Sequence, residues 1–251
     1  PLLGLLLLMF SPSYTLAIDA SLSLSKTFFN YQEFSREGDR LDKESGWLTN
    51  VSTSIKESFK NKHLVSGSIS YLFGTVDYDG HLQNGNAHST DTSEDIFSYA
   101  ARYSYQLTQE YSAGLFFSQN IWQRNILENG NALGLYEEYQ WKNISLYQQF
   151  TYRDLTIAIL TGVLADGRLD IDLAESGLGE IKIPLKEGFE TQLKITTQLP
   201  YLVDWNSQAY LGFIYREFPR SAPVNVGRFS LSEPRSQLTQ LSIGLSADWG
   251  N

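Results

Sequence analysis

The segment from Phe97 to Leu107 alternates larger apolar and smaller polar side chains, residue by residue. Its odd positions are Phe97, Tyr99, Ala101, Tyr103, Tyr105 and Leu107, and its even positions are Ser98, Ala100, Arg102, Ser104 and Gln106. Successive side chains of a β-strand point to opposite faces, so this segment would have one aromatic face and one polar face. The aromatic face would either pack on a second sheet in a soluble sandwich or meet lipid around a membrane barrel.

Nine further segments alternate in the same way, and the connections between them differ in length. The ten predicted strands cover residues 18–34, 47–59, 65–80, 97–107, 111–121, 133–152, 155–173, 189–195, 209–215 and 241–249. Longer connections, such as the charged segment 36–46 and the polar segment 79–95, follow the odd-numbered strands. Shorter turns follow the even-numbered strands, a pattern that is typical of outer-membrane barrels. The sequence therefore predicts an all-β, antiparallel up-and-down transmembrane β-barrel of ten strands, with long extracellular loops and short periplasmic turns.

The apolar phase of the sixth strand changes near Asn143. Before this residue the apolar set includes Tyr139 and Trp141, and after it the set includes Ile144 and Leu146. A shift by one residue indicates either a bulge in one long strand or a turn between two strands. We favour a bulge, whereas a turn at Asn143 would raise the count to twelve strands.

The N-terminal residues have the pattern of a secretory signal peptide. The apolar run 2–10 precedes Thr15 and Ala17, the small residues that signal peptidase requires before its cleavage site. We therefore assign residues 1–17 to a signal peptide without its basic start, and residues 18–251 to the barrel. The net charge of -9 argues against nucleic acid as a partner. The absence of cysteine excludes disulfides and thiolate metal sites.

Several segments resemble known outer-membrane proteins. Gly244, Ala247 and Trp249 resemble the C-terminal insertion signal of Gram-negative outer-membrane barrels. The chain as a whole resembles a family of uncharacterised proteobacterial outer-membrane β-barrels, through the segments 31–48, 76–80 and 233–236. The resemblance implies a location in the outer membrane of a Gram-negative bacterium and no particular activity. At that location we expect membrane lipid, lipopolysaccharide and the barrel-assembly machinery as partners.

The ten-stranded topology is also similar to that of the omptin proteases, which suggests candidate catalytic residues. Asp77 and Asp79 could supply a carboxylate pair near the rim, and His81 and His88 are the nearby histidines. Omptins need an Asp–His pair on the facing wall, but the chain has no histidine after His88. A serine hydrolase built from the segment 88–91 would place its whole triad on one loop, which is a poor scaffold for preorganised groups. We therefore favour a structural or surface-interacting barrel without a cofactor or metal, and a rim-sited surface hydrolase, either an omptin-like protease or a lipid hydrolase, is the first alternative.

The polar phases of the strands predict a charged interior. The predicted lumen charge network consists of Lys56, Arg102, Arg124, Glu138, Lys142, Glu190, Lys194 and Arg216. Ten strands enclose little free space, so opposite charges should pair across the lumen and plug it. A narrow pore for small solutes is the alternative. The predicted lipid-facing aromatic residues are Trp47, Tyr71, Phe73, Phe97, Tyr99, Tyr103, Tyr105, Phe117, Tyr139, Trp141, Phe213, Tyr215 and Trp249.

Overall fold

The computed structural model describes residues 18–60, 62–81, 86–130, 134–173, 179–199, 206–227 and 229–249. The predicted signal peptide lies outside these residues. The described residues form the strands β1 (Ile18–Phe34), β2 (Arg40–Phe59), β3 (His63–His81), β4 (Ala87–Gln106), β5 (Tyr111–Ile126), β6 (Leu135–Tyr152), β7 (Leu155–Leu173), β8 (Gly179–Pro184), β9 (Gly188–Gln198), β10 (Asn206–Phe218), β11 (Val224–Val226), β12 (Phe229–Leu231) and β13 (Arg235–Trp249). Among the described residues, no helix has the length and apolar character needed to cross a membrane.

The strands close into one antiparallel barrel with ten strand positions. β1 to β7 pair in chain order, and the ring continues through β9, β10 and β13 back to β1. β8 pairs with the upper part of β7 and β9 with its lower part, so β8 and β9 share one position. β11 and β12 form a separate hairpin. The predicted ten-stranded antiparallel barrel is confirmed.

The sixth strand position settles the strand count. β6 is one continuous strand, and the next turn lies at 153–154 as predicted. A register shift occurs close to Asn143, but its extra residue belongs to β7, where Asp166 and Gly167 lie opposite Trp141. Asp166 accommodates the shift with a φ of 50°. β6 itself keeps its odd-numbered residues inside along its whole length. The apolar phase of the sequence changes because the apolar side chains of β6 face the interior above Asn143 and face outward below it.

Two predicted loops are mostly strand. β2 begins at Arg40, which leaves only a short turn in the predicted loop 36–46, and the described residues of the segment 79–95 lie mainly at the end of β3 and the start of β4. Their outward side chains are polar, which makes the sequence resemble a loop. Their inward side chains, such as Asp42 and Thr92, are buried. The barrel wall therefore extends further beyond these strands than the sequence predicts.

The outer surface carries an apolar belt between two rings of aromatic side chains. We call the rim at which β2, β4, β6 and β9 end the lower rim. The lower aromatic ring consists of Phe59, Tyr103, Tyr105, Tyr111, Phe150, Tyr152 and Trp249, and the upper aromatic ring of Phe28, Trp47, Tyr71, Phe73, Phe97, Tyr99, Phe189 and Phe213. Exposed aliphatic side chains such as Leu24, Leu146 and Leu245 lie between them. Above the upper ring the outward residues become mainly polar, as with Gln140 and Lys142.

The side chains that line the barrel interior are polar in the lower half and mainly apolar in the upper half, which is the reverse of the outer surface. In the lower half, small polar residues such as Ser52, Ser68 and Ser70 line the lumen. In the upper half a cluster of buried large side chains fills it, which we call the upper core: Phe29, Tyr31, Leu48, Leu72, Val76, Ile96, Trp122, Tyr139, Trp141, Leu164, Leu169, Ile181, Ile183, Phe218 and Leu238. The upper half thus has an apolar inside and a polar outside, and the lower half has the reverse.

Candidate functional site

The upper core surrounds one buried arginine, Arg124, which β5 directs inward with only 1% of its surface exposed. Its guanidinium contacts four carboxylates that arrive from three strands. The Oε2 atom of Glu137 lies 2.7 Å from Nη1, and Oε1 of Glu44 lies 2.9 Å from Nε. Glu33 and Asp42 follow at 3.3 and 3.5 Å. Several acidic groups therefore share one cation at the centre of the upper half.

A second layer of groups holds these carboxylates in place. Tyr31 donates a hydrogen bond of 2.9 Å to Glu33, and Tyr139 donates one of 2.9 Å to Glu233. The other donors bind acids on β2 and β4: Thr92 Oγ1 donates to Glu44 at 2.9 Å, and Trp122 Nε1 donates to Glu94. The Arg124 guanidinium also lies over the Tyr31 ring, 4.8 Å from its centre. We call Arg124 with Glu33, Asp42, Glu44, Glu94, Glu137 and Glu233 the Arg124 cluster.

The Arg124 cluster contains more acids than one arginine can balance. Burial raises the pKa of Asp42 to about 6 and that of Glu233 to about 8, and neighbouring carboxylates add to both shifts. Burial also raises the pKa values of Glu33 and Glu94 well above their usual range. Removing a carboxylate from water disfavours its charged form, so part of the cluster holds protons near neutral pH. The cluster therefore ties β1, β2, β4, β5 and β6 to the segment that carries Glu233.

We expect the upper core to lose stability as the pH rises from about 4 to about 8. A carboxyl whose pKa is raised in the folded protein binds its proton more tightly there than in the unfolded chain. Its contribution is complete below the ordinary pKa, 3.8 for Asp42 and 4.5 for Glu233, and is lost as the pH passes about 6 and about 8 respectively. Hydrogen exchange of the upper-strand amides should therefore accelerate with pH beyond its intrinsic chemical dependence.

The matched variants for this prediction are Glu233→Gln and Glu138→Gln. Glu233→Gln should flatten the dependence near pH 8, because the amide cannot ionise. Glu138 lies on the outer face, where hydrogen bonds from Gln123 and Gln140 lower its pKa, so Glu138→Gln should leave the profile unchanged. A profile that is insensitive to Glu233→Gln would contradict the assignment.

A second buried ion pair closes the upper core from below. Arg216 on β10 donates a hydrogen bond to Glu190 on β9, and both residues are buried. Asn143 donates to the same carboxylate, and Ser145 donates to Asn143 Oδ1 at 2.6 Å. The Arg216 guanidinium lies 5.4 Å from the centre of the Trp141 ring, on the underside of the upper core. This network separates the upper core from the polar lumen beneath it.

The segment between β10 and β13 covers the upper core from above. Val224, Val226 and Leu231, at the β11–β12 hairpin, pack against the upper core. The amide of Ser221 donates to the carbonyl of Glu233 at 3.0 Å, and Arg220 Nη2 donates to the carbonyl of Phe34 at 2.9 Å. This segment therefore acts as a cover across the upper mouth of the barrel.

The structure corrects four predicted placements, all of them on the upper part of β6. Glu138 and Lys142 lie on the outer face, not in the lumen, and Lys142 pairs with Asp166 at 2.7 Å. Tyr139 and Trp141 are buried in the upper core at 1% and 0% exposure, so they do not face lipid. This part of β6 lies above the upper aromatic ring, where the outer surface is polar. Its apolar side chains therefore point inward, into the upper core.

The other predicted residues fall on the predicted faces of the barrel wall. Inside the barrel lie Lys56, Arg102, Arg124, Glu190, Lys194 and Arg216. On the outer face lie Trp47, Tyr71, Phe73, Phe97, Tyr99, Tyr103, Tyr105, Phe117, Phe213, Tyr215 and Trp249. The acids of the Arg124 cluster are not among the residues that the strand pattern predicts as functional. Asp42 and Glu44 stand two residues apart and share a strand face, which is the one sequence signal that could have revealed them.

The candidate catalytic residues are not assembled into a site. Asp77, Asp79 and His81 are exposed on the outer phase of β3, whereas His88 on β4 lies on the inner phase beside Tyr78. The partner of Asp79 is Arg40, at 2.9 Å. Among the residues that the structure describes, no group of three or more histidine and acidic side chains is arranged to hold a metal ion. Within the described part of the chain, no histidine lies opposite the Asp77 and Asp79 carboxylates.

Comparison with solved structures identifies the class of fold. The translocator domain of the autotransporter NalP from Neisseria meningitidis is similar at a TM-score of 0.52 and 9% identity, covering 94% of this chain and 90% of that chain. The β domain of the Bordetella autotransporter BrkA (TM-score 0.42, 12% identity, 92% and 100% coverage) and Ail of Yersinia pestis (0.40, 8%, 92% and 99%) also match. No family model and no curated protein matches the chain. The fold is that of an outer-membrane β-barrel.

Proposed function

We propose that this protein is an integral outer-membrane β-barrel with a closed lumen, whose upper half stands above the membrane as a contact surface. In this proposal the lower half crosses the lipid between the two aromatic rings. Membrane lipid and lipopolysaccharide surround it, and the barrel-assembly machinery inserts it. The protein carries out no chemical reaction, and its role is structural or adhesive.

The observation that carries the proposal is the apolar belt with its two aromatic rings. Outer-membrane barrels have an outward apolar band about 25 Å tall, flanked by aromatic residues at both interfaces. Contiguous exposed apolar surface of this size is rare on soluble proteins. Individual outward side chains of the belt are large and about half exposed, as with Leu146 at 61% and Leu245 at 56%. Lipid is the surrounding that makes this surface favourable.

The upper half supports the second part of the proposal. Its outer face carries side chains of both charge signs, including Lys43, Asp77, Asp79, Lys142 and Arg168. Its inside is filled by the upper core and the Arg124 cluster. A closed, water-facing extension of this kind suits contact with molecules outside the cell better than transport.

We expect Leu146→Arg to reduce insertion into lipid strongly. Leu146 lies on the outer face of β6 between the two aromatic rings. An arginine at the midplane of the lipid-facing surface destabilises a barrel by about 2–4 kcal/mol. The measurement is the fraction of protein that refolds into liposomes, determined as the heat-modifiable band on a gel.

The matched control is Gln140→Arg, on the outer face of the same strand above the belt. This side chain lies among polar neighbours, so its refolded fraction should equal that of the unmodified protein. If Leu146→Arg refolds as well as Gln140→Arg, the belt does not contact lipid.

A further inference from the structure

The lower half of the lumen contains a cavity of about 360 Å³ whose charged lining is purely cationic. Arg102 on β4 and Lys194 on β9 line it, and no carboxylate does among the described residues. Its remaining lining is mostly hydroxyl-bearing, including Ser52, Ser68 and Ser70. β4 and β9 are four positions apart in the ring of ten, so the two cations approach the lumen from opposed walls.

Neither cation forms an ion pair with a described acidic residue. The Arg102 guanidinium lies over the Tyr147 ring at 4.4 Å, and the Lys194 ammonium lies over the Tyr210 ring at 4.3 Å. The Nε atom of Arg102 is buried and has no hydrogen-bond partner. A buried donor without an acceptor is costly, so a feature of this kind calls for an explanation.

The acids nearest to this cavity are already engaged. An adjoining cavity of about 290 Å³, also lined by Arg102 and Lys194, includes Asp19 and Asp248. Asp19 pairs with Lys56 at 3.3 Å, and Asp248 accepts a hydrogen bond of 2.9 Å from Gln208. Neither acid forms an ion pair with Arg102 or Lys194, whereas Arg124 and Arg216 do form ion pairs with acids of the chain.

A further cavity lies between Arg102 and the lower rim. This third cavity, of about 220 Å³, is lined both by Arg102 and by the lower-rim residues Lys62 and Glu110. From the other side, the Arg216–Glu190 pair and the upper core close the lumen. A ligand would therefore enter past the short turns and stop beneath the upper core.

We propose that the lower lumen is a binding site for a small phosphate-bearing anion, either inorganic phosphate or the phosphate group of a small ester. The arginine fork and the lysine ammonium supply charge-assisted hydrogen bonds to phosphate oxygens, and the serine hydroxyls supply further donors. This binding site goes beyond the proposed function, because it requires only the barrel interior and not the membrane contact.

The test is calorimetric titration of the refolded, detergent-solubilised protein with sodium phosphate and, separately, with glycerol 3-phosphate, at constant ionic strength set by chloride. We expect saturable binding of one anion per barrel. Tighter binding of inorganic phosphate would identify the free anion as the ligand, and tighter binding of the ester would identify a small phosphate ester. No saturable heat with either probe would overturn the proposal.

Variants separate this site from general electrostatic attraction. Arg102→Gln and Lys194→Met should each weaken binding about tenfold or more, whereas Lys142→Gln, which removes the same charge from the outer face, should not change it. Equal affinities in all three variants would refute the site. Heat-modifiability verifies that each variant is folded.

A measurement on the unmodified protein covers the case in which a variant fails to fold. Phosphate should protect Lys194 from acylation by a small amine-reactive reagent, as read by peptide mass spectrometry, and leave Lys142 unprotected. Equal acylation of Lys194 with and without phosphate would contradict the proposal.

Discussion

Arg124→Met should destabilise the barrel by about 3–5 kcal/mol, because it leaves buried acids without their cation. Arg124 is 1% exposed and contacts Glu137, Glu44, Glu33 and Asp42 within 3.5 Å. Methionine approximates the volume of the side chain but cannot balance a carboxylate. The remaining acids must then bind further protons or admit water, so the loss should be larger at pH 8 than at pH 5. Urea unfolding from liposomes, followed by tryptophan fluorescence, measures it.

Arg40→Met is the control for this variant. Arg40 pairs with Asp79 at 2.9 Å, and both side chains are exposed, at 48% and 63%. An exposed ion pair contributes about 0–1 kcal/mol, so its removal should shift the unfolding midpoint only slightly. Comparable losses for the two variants would mean that the Arg124 cluster is not the buried centre of the upper half.

Trp122→Ala should destabilise the barrel by a similar amount, about 3–5 kcal/mol, for a different reason. The Trp122 ring is fully buried, stacks on Tyr139 at 4.7 Å and meets the edge of Tyr31 at 5.0 Å. Alanine leaves a large cavity in the upper core and also removes the indole donor to Glu94. The loss is read from the same urea titration.

Trp47→Ala is the control for Trp122→Ala, because it removes the same side chain from the outer surface instead of the upper core. Trp47 lies on the upper aromatic ring and is 56% exposed, so its truncation creates no internal cavity. We expect a smaller loss than for Trp122→Ala, and normal hydrogen-exchange protection of the upper strands. If Trp47→Ala is the more damaging variant in urea, and Trp122→Ala leaves that protection intact, the upper core contributes little to stability.

The strand count could be predicted from the sequence because the period of two persists through almost every strand. That pattern specifies ten segments and their pairing order without any knowledge of the surroundings. The alternation correctly predicts which face of a strand points into the barrel only where the outer face is apolar. For Tyr139 and Trp141 the same pattern led to the wrong face, since above the upper aromatic ring the apolar side chains turn inward.

The Arg124 cluster could not be predicted, for a reason of geometry. Its acids come from distant parts of the sequence, such as Glu33 on β1 and Glu233 next to β13, and only the barrel closure brings them within reach of Arg124. Asp42 and Glu94 also lie in segments whose polar outer faces predict loops. The alternation of apolar and polar residues along each strand, by contrast, predicts which charged side chains point inward. Among the predicted lumen charges it fails only for Glu138 and Lys142.

Quenching of single tryptophans by brominated lipid distinguishes side chains that face the membrane from those in the upper core. Variants that keep one tryptophan and replace the others with phenylalanine are refolded into liposomes whose acyl chains carry bromine. Trp47 and Trp249, on the two aromatic rings, should be quenched, whereas Trp122 and Trp141, in the upper core, should retain their fluorescence. Quenching of Trp122 or Trp141, or none at Trp47 and Trp249, would contradict a barrel whose lower half faces lipid and whose upper half encloses a dry core.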